Sequence, residues 1–98
     1  MQFLVIARVF EGVSTEQVFP LVKPEVAQAW EYYAADLVRT IHYIADQSGA
    51  VLLFEADSLE IVNEAVAQFP MVKAGFLKVE VLPLKPYVGI AELFSAQG

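Results

Sequence analysis

The chain has 98 residues and a mass of 10.8 kDa, enough for one domain with a real core and too little for separate catalytic and regulatory units. Hydrophobic residues make up 57% of it, against a usual apolar share of about 45–50%, an excess that excludes disorder and predicts an apolar surface that self-associates. Six basic against twelve acidic residues give a net charge of −6, which excludes an electrostatic footprint for nucleic acid or an anionic membrane, and the absence of cysteine excludes disulfides, thiolate catalysis and cysteine-ligated metal.

Residues 2–9 are β-rich and mostly apolar, and predict a buried first strand. The stretch lacks the basic start and long apolar run of a secretory signal, and no segment approaches the roughly 20 apolar residues of a membrane span, so a cytoplasmic location is expected. Glu11-Gly12 breaks the strand. Ser14 with Gln17 fits a capping box, so a helical turn starts at Thr15. Pro24 suits the first turn of the next helix, and Glu25 is favourable near the positive end of its dipole. Val26, Trp30, Tyr33 and Leu37 then recur on one helical face, which places them in the core and runs the helix to about Leu37.

Residues 39–45 predict a second strand. Asp46-Gln47-Ser48-Gly49 matches a type I turn closed by a glycine bulge, and residues 50–56 form the third strand. Asp57 or Ser58 caps a second helix, with Leu59, Val62, Val66 and Phe69 as its apolar stripe and Pro70 as its stop. Residues 76–82 are the fourth strand. Pro83 and Pro86 punctuate an apolar tail, so the chain is expected to be one domain over 1–98 with residues 84–98 as a C-terminal arm.

The order β–α–β–β–α–β predicts an α+β ferredoxin-like fold. Its four-stranded antiparallel sheet has strand order 4-1-3-2 and both helices on one face. The other face needs a cover that the chain itself is too short to supply. Alternation along the strands puts Phe3, Val5, Ala7 and Val9 beneath the helices, together with Leu52, Phe54, Val79 and Val81. A hairpin loop of residues 47–49 sets Tyr43 opposite Leu53 and Ile41 opposite Glu55, with His42 under the helices; a one-residue slip exchanges these faces. With strands 1 and 3 taken as parallel neighbours, Arg8 and Glu55 meet at the same end of the open face.

This open face supplies the candidate site. Glu55 in an apolar cavity suits proton transfer, and His42, the only histidine, is a second candidate general base. Arg8 and Arg39 suit capture of an anionic group, with Tyr43, Lys78 and Glu80 as further binding residues. The competing readings are a structural Arg–Glu–Arg cluster and a partly buried sheet histidine. A lone histidine among scattered carboxylates gives no metal-ligand spacing, so no metal is expected. No Gly-x-Gly-x-x-Gly, Walker, His-Glu-x-x-His or Gly-x-Ser-x-Gly motif occurs.

Several segments carry a family likeness: Pro24-Glu25 opening a helix with Trp30-Glu31-Tyr32-Tyr33, then Val38-Arg39, then Asp46-Gln47-Ser48-Gly49-Ala50-Val51-Leu52. They continue with Glu55-Ala56-Asp57-Ser58-Leu59, Phe69-Pro70-Met71-Val72-Lys73-Ala74-Gly75-Phe76 and Leu82-Pro83-Leu84-Lys85-Pro86-Tyr87. Over nearly its whole length the chain resembles the muconolactone isomerase-like group of dimeric α/β-barrel proteins. The resemblance implies two sheets packed face to face in a homodimer or larger ring. It also implies a small organic ligand, no cofactor, and cofactor-free proton transfer on an apolar, anionic compound between the sheets. The alternatives are a non-catalytic structural or ligand-sensing homo-oligomer and a cofactor-free monooxygenase of the same fold.

Overall fold

The computed structural model describes residues 1–95, so the last three residues of the predicted arm lie outside the described part. Strand β1 (Gln2–Val9) is followed by a short helix α1 (Thr15–Val18), a 3-10 turn at Phe19–Leu21 and the longer helix α2 (Val22–Ala34). Strands β2 (Val38–Tyr43) and β3 (Gly49–Glu55) form a hairpin. Helices α3 (Leu59–Ala67) and α4 (Pro70–Lys73) lead into β4 (Leu77–Leu84), and a 3-10 segment, Val88–Phe94, ends the described chain.

Local chemistry accounts for most boundaries. The hydroxyl of Ser14 accepts from the Gln17 N–H while the Gln17 side chain accepts from the Ser14 N–H, a complete capping box. The hydroxyl of Ser58, not Asp57, caps α3 by accepting from Ile61 N–H. Pro70 ends the predicted helix and also opens α4, where its missing N–H is no loss. Helix α2 stops at Ala34 rather than Leu37, because Asp36 takes a positive φ of 63° and turns the chain into β2.

The sheet is four-stranded in the order β2-β3-β1-β4, as predicted. All three pairings are antiparallel, which corrects the expected parallel β1 and β3. In this topology the crossover through α2 makes β1 and β2 run the same way, and β3 returns between them in the opposite sense. Arg8 therefore faces Gly49 and Gln2 faces Glu55, so Arg8 and Glu55 sit at opposite ends of the sheet, about 20 Å apart along the strand.

The hairpin register also differs. Tyr43 lies opposite Ala50, three residues from the predicted partner Leu53. The positive φ falls on Gln47 (66°), where Gln47 N–H donates to Ile44 O and Asp46 Oδ1 accepts from Ser48 N–H. Gly49 is already in the strand. It is needed there for closeness, since a Cβ would stand 1.9 Å from the carbonyl oxygen of Ala7. An odd shift exchanges faces. Thr40 and His42 move to the open face, and Ile41 and Tyr43 turn toward the helices. A bulge between Val38 and Thr40 sets Arg39 outside the regular alternation.

The core lies between helices and sheet. Phe3, Val5, Leu52 and Phe54 from the sheet pack with Val38 of β2, with Val62 and Val66 of α3 and with Phe69 between α3 and α4. Tyr32 joins it from α2, edge-on to Phe69 at 5.4 Å, and its hydroxyl donates to Ala65 O at 2.6 Å. The opposite face carries Leu4, Ile6, Val51 and Leu53, which stay only partly buried, beside the exposed Leu82. The described chain extends 59 × 28 × 19 Å with a radius of gyration of 16.3 Å, against about 13 Å for a compact chain of this length. Among the described residues no helix is long and apolar enough to cross a membrane.

Candidate functional site: a cavity beneath helix α2

Helix α2 stands off the sheet over small side chains. Ala7 on β1, Ala50 on β3 and Ala29 on the helix leave a cavity of about 610 Å³ between the two layers, lined almost entirely by apolar groups. Trp30 and Tyr33, expected in the core, frame its mouth instead: their rings stack at 5.7 Å and Trp30 remains 65% exposed. Tyr43 rises from the end of β2 on the other rim, 80% exposed.

Among the described residues, one carboxylate lines this cavity. Glu25 sits in the first turn of α2, and its Oε1 accepts from the backbone N–H of Met71 at 2.9 Å. Burial among apolar groups raises its pKa above the ordinary carboxylate value, and the Met71 hydrogen bond opposes that rise without cancelling it. The arrangement suits an acid–base group: a half-buried carboxyl held by a backbone hydrogen bond and open to a ligand-sized space. The sequence reading places Glu25 only as a helix-dipole residue. The stronger signal is its position within the stripe Val22, Val26, Ala29 and Tyr33, a charge on an otherwise apolar helical face.

The residues expected to form the site do not converge. Glu55, at the end of β3, accepts from the N-terminal amine of Met1 at 2.8 Å. That hydrogen bond, with help from the positive charges of the amine and Arg39, holds its pKa below the ordinary value. Arg39 contributes only its charge to Glu55, with no ion pair between them among the described residues, and Arg8 donates to Ser48 Oγ at 3.1 Å at the far end of the sheet. Lys78 lies directly across from Arg8, and Glu80 faces Ile6, both exposed. His42 faces Val51 on the open face rather than lying under the helices. Of the expected set, Tyr43 alone reaches the cavity.

The architecture defines the class: an α+β ferredoxin-like domain whose antiparallel sheet carries helices on one face, with a pocket between the layers. The family model for muconolactone delta-isomerase matches residues 1–89, and the chain belongs to that family. Two solved structures share the fold. A muconolactone isomerase superposes with a TM-score of 0.74 at 19% identity, covering 89% of this chain and 91% of that one. A 5-chloro-2-hydroxyhydroquinone dehydrochlorinase from Burkholderia phenoliruptrix AC1100, in complex with 2,5-dihydroxybenzoquinone, gives 0.73 at 22% identity, covering 87% of this chain and 94% of that one. No curated protein matches the sequence.

Proposed function

We propose that this protein is a cofactor-free small-molecule enzyme that moves a proton on an apolar compound held between α2 and the sheet, with Glu25 as the acid–base group. The observation that carries the reading is a carboxyl of raised pKa lining an apolar cavity of ligand size. Ionised Glu25 takes a proton from a carbon next to a carbonyl, and the electron pair moves into the carbonyl as an enolate. The protonated carboxyl then returns the proton to another carbon of the conjugated system, so a double bond shifts and the composition is unchanged. The family name and the two structural neighbours support proton transfer, because isomerisation of an unsaturated lactone and loss of HCl both include removal of a proton.

This reading moves the site from the inter-sheet face to the helix side. Arg8 and Arg39, expected to capture an anionic group on the inter-sheet face, do not line this cavity. The test is exchange of solvent deuterium into an unsaturated γ-lactone or a substituted hydroquinone, followed by proton NMR. Exchange that falls about 10²–10⁴-fold in Glu25→Gln supports the role. Exchange that survives the substitution in a folded variant overturns it.

A further inference from the structure

We infer that Gln47 binds the substrate in this reaction, its side-chain amide donating to the carbonyl oxygen that gains negative charge when Glu25 takes a proton; this rests on the reading of the cavity as the ligand site. Among the described residues, two that are not glycine hold a positive φ, Asp36 at 63° and Gln47 at 66°. Aspartate is one of the short polar types that enter this backbone region more readily, and glutamine is not. Asp36 does not line the cavity, whereas Gln47 does, exposed at its rim. Glycine would sit at position 47 without strain. A strained residue beside a ligand-sized space points to a task for its side chain.

The turn that carries Gln47 is fixed on both sides. Gln47 N–H donates to Ile44 O at 2.8 Å, and Ser48 N–H donates to Asp46 Oδ1 at 2.9 Å. Strand β1 holds Ser48 in place: the Ser48 carbonyl accepts from Val9 N–H at 2.9 Å, and its hydroxyl accepts from the Arg8 guanidinium at 3.1 Å. The hydrogen bonds of Gln47 among the described residues run through its backbone, which leaves the amide for a ligand. Position is thus set by the fold, and the donor is not consumed by it.

The chemistry needs such a donor. As the proton leaves for Glu25, the electron pair of the broken C–H bond moves onto the carbonyl oxygen. A hydrogen bond to that oxygen strengthens as the charge grows, so it favours the transition state over the bound substrate. Glu25 comes from the helical layer and Gln47 from the hairpin of the sheet, so a compound lying between the layers meets base and donor from different sides.

The experiment uses the intact protein with α-angelica lactone, an unsaturated γ-lactone, in deuterated water, with exchange read by proton NMR above the protein-free rate. Gln47→Gly is expected to lower kcat at least about tenfold with KM unchanged, while its urea midpoint holds or rises. Gln47→Glu, of the same size but with an acceptor in place of the donor, is expected to lose at least as much. Asp36→Gly, which relieves the other positive φ away from the cavity, is expected to keep full exchange. Full exchange in a folded Gln47→Gly or Gln47→Glu overturns the role while leaving Glu25 as the base. A rise in KM alone, or an equal loss of kcat in Asp36→Gly, also overturns it. No exchange above the protein-free rate with the unsubstituted chain overturns the proposed function, and the inference with it.

Discussion

The backbone N–H of Met71 donates to Glu25 Oε1 across 2.9 Å, joining two residues 46 positions apart in sequence. Met71 lies in the first turn of α4, where backbone donors have no partner within the helix. Glu25 meets that need from the first turn of α2. The same bond fixes one carboxylate oxygen of a side chain that also lines the cavity, so structural support and chemical availability meet in one residue.

Glu25 predicts opposite pH responses for turnover and stability. As a base it acts when ionised, so turnover should rise with pH through its raised pKa and then level off. For folding, a carboxyl whose pKa is higher in the folded state binds protons more readily there than in the unfolded chain. Its contribution is full below the unfolded value near 4.5 and is lost as pH rises through the folded value. Glu25→Gln should abolish the turnover limb and make the protein more stable than the parent at neutral pH, with the stability gap closing in acid. Urea titrations at several pH values, beside a pH–rate profile, check both signs.

Gly49 predicts a packing defect rather than a turn defect. A methyl group there meets the Ala7 carbonyl oxygen at 1.9 Å, and the obstacle is backbone, which cannot swing aside. Gly49→Ala should destabilise the domain by about 1–3 kcal/mol or more, as overpacking does. Gln47→Gly, at the position that holds the positive φ, should be neutral or stabilising. Chemical denaturation of the two variants tests the assignment, and a harmless Gly49→Ala would refute it.

Why the hairpin register is hard to read follows from this pair. Locally, Asp46-Gln47-Ser48-Gly49 assigns the positive φ to glycine. The reason Gly49 is not available lies in β1, a contact between positions about forty apart in sequence that no local pattern shows. The Ser14 capping box, the stop at Pro70 and the strand order depend on neighbouring residues or on element order, and are legible; the stop of α2 is not, because Asp36 carries its positive φ without a glycine to mark it. The site is half legible. The stripe on α2 marks a buried face, but the alanines that leave space beneath it, Ala7 and Ala50, come from strands brought together only by the fold. Reading Trp30 and Tyr33 as core follows from the stripe alone, and the missing volume below them turns core into cavity wall.

The open sheet face predicts assembly. Leu4 faces both Leu53 and Leu82, and Ile6 faces Val51, so an apolar patch crosses the central strands with no helix above it. The chain exposes 7108 Å², against about 5,500 Å² for a compact protein of its mass. A second copy packing sheet to sheet is expected to cover the patch, in an interface above about 1,600 Å² in total. Leu53→Lys places a charge at its centre and should dissociate the assembly. Sedimentation showing a stable folded monomer of the unsubstituted protein at micromolar concentration would count against the expectation.

The tail after β4 predicts a second contact between copies, separable from the sheet. Tyr87 and Phe94 are each 84% exposed, and Leu93 is 78% exposed. The 3-10 segment that carries them has local backbone hydrogen bonds, including Val88 N–H to Pro86 O and Ile90 N–H to Tyr87 O. Large apolar groups of this kind gain roughly 1.5–3 kcal/mol each when fully covered. The segment departs from the domain just beyond Leu84, at the end of an edge strand whose pairing with β1 is already complete. Removing residues 86–98 therefore leaves the sheet register and the helical core untouched. The expected result is a lower oligomeric mass by sedimentation, with the cooperative unfolding of the subunit retained. If the truncated chain keeps the mass of the intact assembly, the arm does not hold copies together; if it unfolds outright, the arm belongs to the subunit's own core. The triple substitution Tyr87→Ser, Leu93→Ser and Phe94→Ser should reproduce the loss of mass with the backbone in place, which ties the effect to these three side chains.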